Sequence, residues 1–208
     1  MQKEFQRRFD DLVAAREVAL QASRRAIRSS ANSIRAIHRG EMEEAHRLME
    51  EARASLEEGK DGAAQHPEVR YGGYLQDAEK EYVEARVTEA IVSDVEAPGP
   101  DDMGVGLAPF LGGMAEAVGE ARRNVLDLLR QGEVEPAERV LGAMEDVYAV
   151  LVTMDYPDAI TGNLRRSTDV ARSLLEKTRG DLTNALVQRD LKLALERHAD
   201  RFQGEDPA

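Results

Sequence analysis

Apolar residues recur at helical spacing along nearly the whole chain, and no run alternates in the manner of a strand. From Phe5 to His38, the positions Val13, Leu20, Ile27 and Ile34 repeat every seven residues, with Phe9, Leu12 and Ile37 beside them. Neither proline nor glycine interrupts the stretch, so it predicts one long bundle or coiled-coil helix stopped at Gly40. A second helix is expected over Glu41–Glu58, anchored by Met42, Ala45, Leu48, Met49, Ala52 and Leu56 and ended by Gly59. Residues 60–73 are turn-rich. They lead into Tyr71–Val95, where two apolar stripes run down opposite sides: Leu75, Ala78, Tyr82, Ala85 and Val92 on one, Val83, Val87 and Ile91 on the other. A helix apolar on two sides is expected to be buried on two sides.

Residues 96–106 (EAPGPDDMGVG) form the clearest loop. Leu107–Gln131 comes next as a helix whose core face is Leu107, Phe110, Leu111, Met114, Val118, Ala121, Val125, Leu128 and Leu129. Its other side carries Gly112, Gly113, Glu116, Gly119 and Glu120. Each interior glycine costs about 0.8–1 kcal/mol relative to alanine, so three of them imply that a backbone, a metal-bearing helix or a ligand comes close there. Gly132 ends this helix, Pro136 fits the first turn of the next, which runs to Met154, and Pro157 breaks it. The last long helix starts at Ile160 or Asn163 and continues toward His198 through Leu164, Ala171, Leu175, Leu182 and Leu186. The expectation is an all-α bundle of six to seven helices, with residues 1–202 as a single helical domain and 203–208 as a disordered tail.

Composition narrows the chemistry. There is no cysteine among the 208 residues, which excludes disulfides, zinc–thiolate sites and thiol nucleophiles. No apolar run is long enough for a membrane span and the first residues lack a signal-peptide core, so a cytoplasmic protein with no membrane partner is expected. The formal charge is −12, and only five of the 28 basic residues are lysine. Few lysines, many carboxylates and few aromatics fit a protein of a salt-rich cytosol. The charge is segregated: residues 41–160 carry 28 acidic and 10 basic side chains, whereas the flanks carry 12 and 18. From Arg16 to Arg39 the chain carries Arg16, Arg24, Arg25, Arg28, Arg35 and Arg39 against only Glu17, with Ser23, Ser29, Ser30 and Asn32 among them. These groups suit phosphate oxygens and equally suit a neighbouring acidic helix.

Sequence patterns for nucleotide loops, HExxH metal sites and histidine-based nucleophiles are absent. What remains is carboxylates on two helices. Glu81 and Glu84, three apart, project from the strip between the two apolar stripes, and Glu116 with Glu120 lies on the glycine-rich face. Solvated acids paired with Arg86, Arg122 or Arg123 are one reading. The other is convergence on a pocket whose hard oxygen ligands select Mg²⁺ or Mn²⁺.

Glu81-Tyr82-Val83-Glu84-Ala85, FLGGMAEAVGEARR (Phe110 to Arg123) and LRRSTDVARSLLEKTRGDL (Leu164 to Leu182) resemble the translin superfamily. They are closer to its translin-associated factor X branch and archaeal relatives than to translin itself. The first helix ending in IRAIHRG also fits, and the similarity runs from about Leu12 to Leu182. The resemblance implies a seven-helix protomer assembling into closed oligomers, commonly octamers, around nucleic acid. It also implies a metal-dependent endoribonuclease using two glutamates and an aspartate, which fall on Glu81, Glu84 and Glu116. Glutamate at 116 departs from the usual aspartate, and its extra methylene moves the carboxylate by more than about 1 Å.

The first expectation is therefore an endoribonuclease for single-stranded or partly paired RNA, dependent on Mg²⁺ or Mn²⁺. Glu81, Glu84 and Glu116 would be catalytic, the same three with Glu120 would hold metal, and Arg16, Arg24, Arg25, Arg28, Arg35, Arg122 and Arg123 would bind nucleic acid. The second is a non-catalytic RNA- or single-stranded-DNA-binding oligomer, built from copies of this chain or with a related chain. A third is an acidic helical scaffold that binds protein.

Overall fold

Helical periodicity carries through to the computed structural model, which describes residues 1–203. Among the described residues there are nine α-helices and no strand. Six are long: α1 (Gln2–His38), α2 (Met42–Gly62), α4 (Gly73–Ser93), α6 (Leu107–Gln131), α7 (Val134–Val152) and α9 (Leu164–Gln203). Three single-turn helices, α3 (Pro67–Arg70), α5 (Pro100–Met103) and α8 (Asp158–Thr161), occupy segments whose turn residues predicted loops. The architecture is an all-α bundle. Of the tail expected over 203–208, Gln203 is the last residue of α9, and 204–208 lie outside the described residues.

The centre of the bundle is α4, packed against α1, α2, α6 and α7. Its two apolar stripes are buried as their spacing predicts: Leu75, Ala78, Tyr82 and Ala85 on one side, Val83, Val87 and Ile91 on the other. The core continues through Val118 and Val125 of α6, Met144 and Leu151 of α7, and Leu164, Leu175 and Leu182 of α9.

Two local expectations differ. The α1 heptad joins the core only at its C-terminal end, where Ile34 is buried and Ile27 packs against it, whereas Val13 is 64% exposed and Phe9, beside the heptad, 66%. The face that meets α2 and α4 is made of small residues, Ala15, Ala19, Ala22, Ser23, Ala26, Ser30 and Ser33, with Ile34 and Ile37. Small side chains let helix axes approach, and that burial outweighs the larger residues of the heptad. Gly59, in turn, does not stop α2. It lies within the helix where a Cβ would stand 3.0 Å from Leu75 Cδ2 and 3.1 Å from Ala22 Cβ, so its missing side chain serves close packing. Gly40 and Gly132 do terminate helices, with φ of 74° and 83°.

A buried clasp fixes where α6 begins along α4. Glu79 is 2% exposed and meets Lys60 Nζ at 2.9 Å and Arg70 Nη1 at 3.6 Å. Its other oxygen accepts a hydrogen bond from the Gly106 backbone N–H at 3.2 Å, while Lys60 Nζ donates to the Gly104 carbonyl at 2.7 Å. Four segments, α2, α3, α4 and the turn into α6, are thereby held by one carboxylate.

Candidate metal centre

Among the glycines of α6, Gly113 is the one pressed against the α4 backbone. A Cβ there would lie 2.6 Å from the Lys80 carbonyl oxygen and 2.6 Å from Val83 Cβ, so only glycine admits this backbone contact. Gly112 meets only the Lys80 side chain, at 3.3 Å, and Gly119 makes an ordinary 3.8 Å contact to Leu174. Of the three clustered glycines, the packing requires one. Its position sets the register of the acids. Glu116 stands one turn beyond Gly113 on α6, and Glu81 and Glu84 come within the turn after Lys80 on α4.

Glu81, Glu84 and Glu116 each present a carboxylate oxygen such that the three atoms lie within 4.8 Å of one another, and all three side chains are partly buried. Their protonation reflects that crowding. Burial raises the Glu84 carboxyl to about 8, reinforced by the charges of Glu81, Glu116 and Glu120 and opposed by Lys80. Glu81 is raised as well, first by burial and then by Glu116. Three carboxylates that repel each other in a partly dehydrated slot are stabilised by positive charge. Arg86, Arg122 and Arg123 do not supply it: Arg86 faces Glu89 at 3.8 Å, Arg123 faces Glu120 at 3.9 Å, and Arg122 is committed to Asp181 at 2.8 Å. Lys80 supplies part, its Nζ standing 2.6 Å from Glu116 Oε1. Burial alone would lower the Lys80 ammonium, but the bond to Glu116 raises it overall. The donor set of three hard oxygens, left with an excess of negative charge, fits a divalent cation completed by water.

Glu120 lies outside that trio. Its Oε2 is 2.5 Å from His38 Nε2, and the bond to His38 lowers its carboxyl. His38 is 4% exposed, so the pair ties the end of α1 to α6 one turn beyond Glu116.

The third wall was not visible from carboxylate spacing. A cavity of about 360 Å³ opens beside the acids, lined by Glu84, Ala115, Glu116, Arg166, Ser167, Val170 and Leu174. Arg166 and Ser167 come from the first turns of α9. Within the sequence, the run Arg165-Arg166-Ser167 was the available signal, but LRRS is too short a pattern to single out one of its arginines.

The expected nucleic-acid residues divide into two groups. Arg16, Arg24 and Arg28 are exposed, and among the described residues none makes an ion pair or side-chain hydrogen bond. Arg25 is held by Glu58 at 2.6 Å, and Arg35 by Asn32 at 2.6 Å. Arg122 donates to Thr178 Oγ1 at 2.9 Å and to Asp181 Oδ2 at 2.8 Å, locking α6 to α9. Ser23 and Ser30 are buried, so their hydroxyls face the bundle and not a phosphate.

No family model matches the sequence. The chain is 31% identical over 192 residues to the uncharacterized protein MJ0175 of Methanocaldococcus jannaschii, covering 91% of this chain and 83% of that one. Among solved structures, it is similar to AfC3PO in complex with duplex RNA, with a TM-score of 0.85 and 37% identity over 91% of this chain and 98% of that one. AfC3PO alone gives 0.84 and 36%, covering 91% and 99%. Apo-NeC3PO gives 0.80 at 20% identity over 88% and 96%, a likeness of fold.

Proposed function

Because this chain belongs to the translin/C3PO family, we propose that it is an RNA-binding oligomer that cleaves RNA with a divalent cation held by Glu81, Glu84 and Glu116. The observation that carries the reading is the convergence of these carboxylates, from two helices, within 4.8 Å beside an open cavity. A bound Mg²⁺ or Mn²⁺ supplies a Lewis acid for a phosphodiester and makes water nucleophilic at neutral pH. The chain's own residues do the rest. Glu81 and Glu84, which share one turn of α4, would hold the cation together with Glu116 from α6. Lys80 holds the Glu116 side chain and moderates the charge of the cluster. Glu120, whose Oε2 pairs with His38, adds negative potential to Glu84 and stands outside the cluster of three.

RNA binding draws on the relative whose structure was solved in complex with duplex RNA and on the unpaired arginines of α1. In a chain of net charge −12 with 40 carboxylates, Arg16, Arg24 and Arg28 have no acidic partner among the described residues. Unclaimed guanidinium groups on one helix suit a polyanion. Oligomer formation draws on two exposed apolar rows at four-residue spacing, Phe5, Phe9 and Val13 on α1 and Val187, Leu191 and Leu195 on α9. A closed homo-oligomer, an octamer by the family resemblance, would cover both.

The Lys80–Glu116 contact favours a second reading, a binder of RNA or single-stranded DNA with no turnover, since a lysine already neutralises the residue at the position where the family usually has aspartate. Labelled RNA incubated with Mg²⁺ separates the two. Wild type cleaves and Glu81→Ala and Glu84→Ala do not; retention without turnover by all three leaves the binder, and cleavage that survives both substitutions removes this site.

A further inference from the structure

The wall of the cavity facing the acids is basic and apolar. On α9, Arg166, Val170 and Leu174 succeed each other at four-residue spacing, and Ser167 stands beside them, so one stripe of the helix lines the space next to Glu84 and Glu116. The arginines around it on α9 are taken: Arg165 by Asp155 at 3.1 Å, Arg172 by the Tyr148 hydroxyl at 2.8 Å, Arg179 by Glu145 at 2.5 Å and Arg189 by Glu135 at 2.7 Å. Arg166 makes no side-chain hydrogen bond or ion pair among the described residues, and neither does the hydroxyl of Ser167. An exposed guanidinium left unclaimed at the mouth of an acidic site presents a planar fork of five donors to the cavity.

Resting on the nuclease reading, we propose that Arg166 and Ser167 form a phosphodiester subsite that seats the RNA strand against the carboxylates. The chemistry of the wall matches one nucleotide of a single strand. The fork and hydroxyl meet non-bridging phosphate oxygens, and Val170 with Leu174 gives an apolar surface for the adjoining sugar and base. At about 360 Å³ the cavity lies near the lower end of the ~300–1,000 Å³ of ligand sites. It holds a nucleotide-sized group. The acids repel that same phosphate, and Arg166 therefore decides whether the strand is tolerated next to them before any cation is bound.

The test uses the full chain and a fluorescein-labelled single-stranded oligoribonucleotide, with binding read by anisotropy in EDTA so that cleavage plays no part. Arg166→Ala is expected to weaken binding about tenfold and to lower the slope of log affinity against log salt by about 0.7, the value for one phosphate contact on a single strand. Arg165→Ala, on the adjacent residue already committed to Asp155, stays within about twofold of wild type. Arg166→Lys recovers charge without the fork and falls between them. In Mg²⁺, Arg166→Ala raises KM more than it lowers kcat. An unchanged affinity and salt slope for Arg166→Ala overturns the subsite whatever the cleavage result. So does an effect confined to tighter Mn²⁺ binding, which would make Arg166 a counter-charge of the acids. If wild type binds RNA and never cleaves it, the nuclease reading falls while the anisotropy series still decides the subsite; if wild type binds no RNA, both fall.

Discussion

Lys80 Nζ lies 2.6 Å from Glu116 Oε1, so one member of the three-carboxylate cluster brings its own cation. A divalent ion entering the cluster must displace that ammonium or share Glu116 with it. Lys80→Met is therefore expected to tighten Mn²⁺ binding about tenfold, close to 1.4 kcal/mol. Calorimetric titration at pH 9 checks this, because Lys80 also opposes the raised Glu84 carboxyl and its loss lifts that group further. Weaker Mn²⁺ binding in the variant would show that Lys80 orients Glu116 and does not compete.

Glu84 gives stability a pH dependence of unusual sign for a carboxylate. Its folded value, raised to about 8 by burial and by Glu81, Glu116 and Glu120, exceeds the ordinary 4.5. Between those values the folded chain holds a proton that the unfolded chain has released, so stability is highest at the acid end and falls as pH rises through the window. Thermal unfolding in EDTA at intervals from pH 5 to pH 9 should show Tm declining across this range from this group. Glu84→Gln removes that part of the decline, and saturating Mg²⁺ removes it by favouring the ionised carboxylate.

Gly113 and Gly112 are adjacent and should respond oppositely. Alanine at Gly113 puts a Cβ 2.6 Å from the Lys80 carbonyl and from Val83 Cβ, forcing α6 off α4 at a cost of about 1–3 kcal/mol. Alanine at Gly112 meets only the flexible Lys80 chain at 3.3 Å and gains about 0.8–1 kcal/mol of helix propensity. Urea unfolding of the two variants measures the contrast. Gly113→Ala should also lose divalent-ion binding, since it separates Glu116 from Glu84.

The unpaired arginines of α1 are expected to matter for RNA, and the paired ones much less. Arg24→Glu with Arg28→Glu should lower RNA affinity at least tenfold and flatten its salt dependence. Arg25→Ala, whose guanidinium is held by Glu58, should change both by less than about threefold. Filter binding across a salt series separates them, and an unchanged double variant leaves α1 as an acidic partner's docking face.

Much of this fold was written in local periodicity. The two-sided burial of α4, the bounds of α6 at Leu107 and Gln131, and the glycine stops at Gly40 and Gly132 come from spacing and backbone preference alone. Proximity of Glu81, Glu84 and Glu116 was suggested by carboxylates beside a glycine-rich face, because glycine marks where another backbone comes near. Other features depend on partners distant in sequence. The α1 heptad pointed to Val13, whereas close packing on α2 selected the alanine and serine face. Lys80 pairs with Glu116 36 positions away, His38 with Glu120 82 away, and Arg166 reaches the cavity from another helix. No periodicity encodes which of 23 arginines remains unpaired; that emerges only when every acid has found its neighbour.

The central claim, that Glu81, Glu84 and Glu116 together hold a divalent cation, is tested most directly by anomalous diffraction from crystals soaked in Mn²⁺. A peak within coordination distance, about 2.0–2.6 Å, of one oxygen from each residue, absent in Glu84→Ala crystals, is the predicted result. Density showing Lys80 still on Glu116 and no peak among the three carboxylates would contradict it.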